Sequence, residues 1–360
     1  MIKDPICNME VTRDEAVALE HNGQTVYFCS EGCRDTYLER NEDREARRDH
    51  ELIIIGGGPA GLTAAVYAAT LKIDAFVVAA DLGGQAVDST KIKNYMGYDF
   101  ITGPELSQKF RDQLLHSNYL SHLMTEAEGL AETKNGFAVT VSDRSVFAAR
   151  SVILATGMSR RQLGVPGEEE FQRRGVLYGN VQDASFVQGR DTVVIGGGNS
   201  AMQIVDNLVT VARSVQIVSN LPLKKTADAK DVERLLGCRN VTAYEGCKVE
   251  EIRGSDTVEE VVIRQLASDR GRTLSAGGVF IAVGMQPNSA IAADLVEFNE
   301  RAEVKIAPDC STSTPGLFAA GDVTDAYGKR IIIAAGEGAK AALAARQYLL
   351  NQRKQRSKTS

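Results

Sequence analysis

The chain has 360 residues, room for two or three domains, and its 43% hydrophobic and 24% charged content is ordinary for a globular protein. A net charge of -6 and a pI near 5.5 argue against nucleic acid as the main partner, which demands a basic face. The apolar runs are strand-sized and the start, MIKDPICNMEV, lacks the apolar stretch of a secretory signal, so no membrane span and a cytoplasmic location are expected.

Three of the six cysteines, Cys7, Cys29 and Cys33, fall in residues 1–40. In a cytoplasmic chain they read as reduced thiols, metal ligands or redox centres rather than a disulfide framework. QTVYF reads as a strand that Cys29 closes, and CRDTYLER as a helix that Cys33 opens. A C-x-x-x-C across a strand-to-helix turn can aim two thiolates at one centre, and the helix N-terminus lowers the pKa of Cys33. Three thiolates suit Cu(I) or Zn(II). A fourth ligand is not evident: His21, in EHNGQ, reads better as a solvated hairpin residue than as a ligand. A closed zinc site that only holds a small module together would use the same cysteines. ERNEDREARRDHE follows, with ten of thirteen residues charged, and a linker is placed at residues 41–50.

From Glu51 the pattern is strand, turn, helix. LIII is a continuous apolar run fit for a strand buried on both faces. GGGPAG turns the chain, LTAAVYAATLK reads as a helix of small residues, and DAFVVAA as the next strand. The same order recurs in DTVVIGGGNSAMQIVDNLVTVARSVQIV. Two such units predict an α/β protein with two Rossmann-like modules. Between them GFAVTVSD and SVFAARSVILATG alternate like antiparallel strands around an SDRS turn. GVFIAVG and GLFAAGD read as later strands, IAAGEGAKAALAARQYLL as the closing helix, and residues 351–360 as a frayed basic tail. Cys238, Cys247 and Cys310 stand apart in strand-like sequence and read as buried structural thiols.

Gly56, Gly58 and Gly61 make G-x-G-x-x-G; Gly196, Gly198 and Ala201 make the G-x-G-x-x-A variant. The first glycine permits the tight turn, the second lets backbone approach a pyrophosphate, and the third position lets helix and strand pack closely. The helix start adds N–H groups and a partial positive charge. One such motif is weak; two, each between a strand and a helix, point to two dinucleotides.

GGGPAGLTAAVYAA, GGQ, ATG, VPGE, GGGNSA, GMQPN and GLFAAGD stand in the order seen in thioredoxin-reductase-like flavoproteins. Residues 50–350 resemble that family, and IIIAAGEGAKAAL resembles its alkyl hydroperoxide reductase flavoprotein branch. The resemblance implies three-layer ββα and βαβ modules: an FAD domain at 51–166 and 288–350, interrupted by an NAD(P)H domain at 167–287. It implies a homodimer and hydride transfer from NAD(P)H to FAD. It assigns FAD contacts to Gly56, Gly58, Gly61, Gly83, Gly84, Gln85, Asn94, Ala155, Thr156, Gly157, Gly321 and Asp322, and NAD(P)H contacts to Gly196, Gly198, Asn199, Ser200, Ala201, Ser219 and Gly284. Asp322 can accept from ribityl hydroxyls. Arg330, where the family shows glutamine, begins the last helix and either steadies anionic reduced flavin or caps the surface. Residues 4–40, with DPICNM, YFCS and GC, resemble a YHS domain, a small metal-associated cysteine module.

The chain departs from the flavoprotein family in three places. Its second strand ends in AAD, so Asp81 meets the adenosine ribose only if the register slips. Ser219 replaces the acid for an NADH 2′-hydroxyl, yet no arginine pair awaits a 2′-phosphate, although Lys224 and Lys225 follow; the resemblance leans to NADH. The redox pair, Cys-x-x-Cys in the family, falls on Gly179 to Gln182, with Asp183 kept beside it. Electrons then reach Cys7, Cys29 and Cys33, or a metal there, with Cys29, Cys33, Asp183 and Arg330 as candidate catalytic residues. Two alternatives stay open. One is direct flavin transfer to O2, a quinone or a small redox protein; the other is a non-enzymatic metal sensor or delivery protein.

Overall fold

A computed structural model describes residues 2–5, 10–14, 16–21, 24–35, 37–38, 48–89, 91–115, 120–178 and 185–359. Two compact units emerge: Met1–Met158 with Pro287–Ser360, and Ser159–Gln286.

In the first unit, Leu52 to Ile55 form the buried end of the strand Asp49–Ile55, with side chains covered on both faces. Strands Leu120–Met124, Ala75–Ala79, Asp49–Ile55 and Val146–Leu154 run parallel in that order, and Leu317–Ala319 adds parallel to the last. The first half of Val146–Leu154 does a second job. It pairs antiparallel with Gly136–Val141, which pairs with Ala127–Thr133. One core lies between the parallel sheet and the helices Pro59–Thr70, Gly103–Leu115 and Ile331–Thr359; another lies on the opposite face, under the antiparallel strands. These are the three layers that the family resemblance implies.

Small residues set the spacing of the first and last helices. A Cβ on Gly338 would come 2.0 Å from the carbonyl oxygen of Ala60, so the two backbones touch there. This contact ties the last helix to the helix that opens at the first glycine turn. The last helix runs to Thr359, so the expected frayed tail is corrected: 351–359 is helical. The reason is its Gln, Arg and Lys content without Gly or Pro. The i,i+4 bonds Gln347–Asn351 and Gln352–Tyr348, each 3.0 Å, and an Arg353–Glu51 ion pair hold it down.

The second unit repeats the plan. Val176–Tyr178, Gly278–Ile281, Asp191–Ile195, Ser214–Ser219 and Val241–Glu245 form a parallel sheet in that order. Cys247–Gly254, Val258–Gln265 and Gly271–Ser275 form an antiparallel layer. At the N-terminus, Val17–His21 and Gln24–Phe28 make a hairpin and residues 31–35 are helical, around a small core of Val26, Phe28 and Tyr37. No helix among the described residues is long and apolar enough to cross a membrane.

Candidate functional site

Both glycine turns are built on one device. At Gly56, φ is +115° and a Cβ would lie 2.3 Å from the carbonyl oxygen of Ala155. At Gly196, φ is +133° and a Cβ would lie 2.3 Å from the carbonyl oxygen of Ala282. Each strand end therefore passes directly against its neighbour, and only glycine allows it. Gly61 fills the third role: a Cβ there would meet the Gly56 oxygen at 1.9 Å. Ala201 is fully buried in the corresponding place.

The middle glycines face open space. Nothing lies within 4 Å of a Cβ on Gly58, and the nearest atom to one on Gly198 is 3.8 Å away. Both are N-caps with no side-chain cap bond, and Pro59 takes the first helical position. The first-turn N–H groups are thus not taken by a capping side chain. A Cβ on Gly157 or Gly284 would also stand in open space, with nothing within 4 Å.

Around the first turn, Thr156 Oγ1 donates to the Asn288 carbonyl at 2.7 Å and Asn288 Nδ2 donates to the Thr156 carbonyl at 2.8 Å. ATG and QPN are so locked together. Gln85 donates to the Met158 carbonyl, and Asn94 is exposed on its loop. Gly83 and Gly84 both have positive φ. Asp81 is exposed and its carboxylate accepts from the Gly84 N–H at 2.7 Å, which makes it a brace of the GGQ turn.

Gly321 and Asp322 follow the strand Leu317–Ala319. Burial pushes the half-buried Asp322 carboxyl upward, and Lys329 and Arg330 oppose the shift. Glu337, in the second turn of the last helix and almost wholly buried, accepts from the Gly321 N–H at 2.7 Å. No motif in the chain pointed to this role. Burial raises the Glu337 carboxyl too, against the Gly321 bond. Arg330 lies just before the helix, which begins at Ile331, and is exposed. Its carbonyl accepts from the Ala334 N–H at 2.9 Å and its guanidinium donates to the Lys329 carbonyl at 2.8 Å.

At the second turn, Asn199 Oδ1 accepts from the Asp228 N–H at 2.9 Å and Ser200 is exposed at the helix start. Ser219 is buried and donates to the Leu221 carbonyl at 2.7 Å. Lys224 pairs with Glu233 at 2.7 Å.

The N-terminal module brings Cys29 and Cys33 together, with 3.6 Å between the sulfurs. Ser30 caps the helical turn, its Oγ accepting from the Cys33 N–H at 3.3 Å. Asp4, buried and not foreseen, accepts from the Cys29 N–H at 2.6 Å. His21 is half-buried at the end of its strand and meets the Tyr37 ring edge-on at 5.5 Å. Cys7 and Asp183, with residues 179–182, lie outside the described residues. Cys247 and Cys310 are buried as expected, and burial pushes the Cys310 thiol up to about 11. Cys238 departs from expectation. It follows the helix Ala229–Leu236, half-buried, with its thiol on the Arg234 carbonyl at 3.6 Å.

A family model described as pyridine nucleotide-disulphide oxidoreductase matches residues 50–345. The chain belongs to this family. One component of the alkyl hydroperoxide reductase of Staphylococcus epidermidis is 33% identical over 301 residues, 84% of this chain and 59% of that protein. A Bacillus subtilis NADH dehydrogenase is 34% identical over 300 residues, 83% of this chain and 58% of that protein. The chain thus spans under two thirds of these relatives. Thioredoxin reductase from Lactococcus lactis shares 32% identity and a TM-score of 0.66, covering 84% of this chain and 99% of that one. That from Streptococcus pyogenes shares 33% identity and a TM-score of 0.64, covering 85% and 100%.

The family implies FAD and a pyridine nucleotide. Both turns fit such groups: open space beside Gly58 and Gly198, and helix starts without capping side chains.

Proposed function

We propose that the chain is an FAD-dependent NAD(P)H oxidoreductase whose electrons leave for a thiol centre that includes Cys29 and Cys33. The net reaction is NAD(P)H plus a proton plus a disulfide giving NAD(P)+ and two thiols. FAD, when bound, supplies the two-electron relay between nicotinamide and acceptor. The residues of the chain hold and orient. Gly56, Gly58 and Gly61 admit the pyrophosphate to the start of the helix Pro59–Thr70; Gly196, Gly198 and Ala201 do the same at Asn199–Leu208. Asp322 accepts from ribityl hydroxyls, held by Glu337 through the Gly321 N–H. The corresponding domains are 51–166 with 288–350, and 167–287.

The observation that carries the thiol assignment is the 3.6 Å separation of the Cys29 and Cys33 sulfurs. Two sulfurs that close need only a small approach to exchange two electrons as a disulfide. The sequence meanwhile holds no cysteine at Gly179 to Gln182. The nicotinamide is taken as NADH, because Lys224 is paired with Glu233 rather than open to a 2′-phosphate. The test is a thiol count on oxidised protein before and after one equivalent of NADH without oxygen. Two new thiols, lost in Cys29→Ser, support the assignment; no new thiols with full flavin bleaching refute it.

A second reading is favoured by the relative named NADH dehydrogenase. There reduced flavin gives its electrons directly to a small-molecule acceptor such as a quinone or O2, or to a small redox protein, and the cysteines play no part in turnover.

A further inference from the structure

We propose that Asp4 is an oxygen ligand of a zinc site that it forms with Cys29 and Cys33. This rests on the assignment of those cysteines to one thiol centre and adds a third ligand and an ion. The ligand atoms of Asp4, Cys29 and Cys33 all lie within 4.8 Å of one another. At 3.6 Å the two sulfurs are free thiols rather than a bonded disulfide. That distance is close to the edge of a tetrahedron around zinc, which is about 3.8 Å for Zn–S bonds of about 2.3 Å.

The carboxylate is arranged for the task. Asp4 is 0% exposed, and a buried carboxylate needs hydrogen bonds, an opposite charge or a metal. Its Oδ2 accepts from the Cys29 N–H at 2.6 Å. That bond orients the group toward the sulfurs, as partners of ligating carboxylates do. In the sequence, Asp4 and Cys7 stand at the x-x spacing of paired zinc ligands, as Cys29 and Cys33 stand at x-x-x.

The donor set selects the ion. An oxygen beside two sulfurs suits borderline Zn(II); Cu(I) prefers sulfur alone. Binding releases the two thiol protons to solvent and involves no redox change. Zinc and a Cys29–Cys33 disulfide exclude each other, so the ion decides whether this centre accepts electrons.

The experiment uses the full chain, reduced, with zinc itself as the probe. Affinity is read by chelator competition and the ligands by zinc X-ray absorption. One zinc with sulfur and oxygen neighbours is expected. Asp4→Asn keeps an oxygen for the Cys29 N–H but loses the charged ligand, so zinc should bind roughly 10–100-fold more weakly while the metal-free melting curve stays unchanged. Cys29→Ser subtracts what the other thiols bind. If Asp4→Asn binds zinc as wild type does while Cys29→Ser does not, Asp4 is no ligand and the cysteine assignment stands. An all-sulfur shell, or Cu(I) bound tightly whatever residue 4 is, also overturns the proposal. If wild type binds no zinc, the proposal falls, while the thiol assignment, read by the thiol count, stands or falls by itself.

Discussion

The Gly321 N–H donates to the carboxylate of Glu337 across 2.7 Å, and Thr324 Oγ1 stands 3.4 Å from the same oxygen. A buried acid on the last helix thereby fixes the turn that carries Asp322. Removing a buried charged acceptor strands the N–H, at about 1.5–3 kcal/mol. Glu337→Ala should weaken FAD binding to apoprotein by roughly 10–100-fold, measured by fluorescence quenching. Glu337→Gln keeps an oxygen acceptor and should bind nearly as wild type.

The same pair of variants gives a pH test. Burial raises the Glu337 carboxyl above its ordinary value. Below the ordinary range the acid is neutral in both folded and unfolded chains. As pH rises from there through the raised value, the unfolded chain ionises more readily, and folded stability falls. Wild type should therefore lose melting temperature relative to Glu337→Gln as pH rises from about 4 toward neutrality. A constant difference across that window contradicts the assignment.

Gly56 and Gly58 should separate folding from binding. Gly56→Ala puts a Cβ 2.3 Å from the Ala155 oxygen at a φ of +115° and should destabilise by roughly 2–4 kcal/mol. Gly58→Ala meets no atom within 4 Å. It should leave the melting temperature nearly unchanged and weaken FAD by about tenfold or more, since the methyl takes the space of the pyrophosphate.

Asp191 sits at the first residue of the strand Asp191–Ile195 and is held down to about 2, first by Arg213 and then by Ser214. Its Oδ1 accepts from Arg213 Nε at 2.8 Å. A depressed acid stabilises above its ordinary pKa and loses that contribution as pH falls. With Arg213 largely exposed, screening limits the effect: Asp191→Asn should cost about 1 kcal/mol at neutral pH and nothing near pH 2, read from urea midpoints.

Nicotinamide choice turns on Lys224. Its 2.7 Å partner Glu233 sits on the helix Ala229–Leu236. Turnover should favour NADH. Glu233→Gln should free the ammonium and raise kcat/KM for NADPH by about two- to fivefold, the size of a surface charge effect.

Both Rossmann turns were legible because their logic is local: a run such as LIII, then glycines, then a helix start. The FAD-side sheet was legible only in part. Ala127–Thr133, AEGLAET, has no buried residue and no β-branched or aromatic run to mark it as a strand. Asp4 was invisible because its partner Cys29 is twenty-five positions away and the DP pair reads as a turn. Glu337 was invisible for a related reason. A glutamate inside a helix reads as a solvated face until the fold brings Gly321 over it. The tail misled because its charge suggested fraying, while helix propensity and the Arg353–Glu51 pair decided the outcome.

The destination of the electrons is the central claim, and anaerobic stopped-flow on full-length protein tests it most directly. Wild type and Cys29→Ser/Cys33→Ser would each be mixed with NADH, then with a disulfide acceptor. Equal flavin bleaching is expected in both, followed by acceptor reduction in wild type that slows at least tenfold in the double variant. Equal acceptor reduction by the two proteins would contradict the thiol route and leave the flavin as the direct donor.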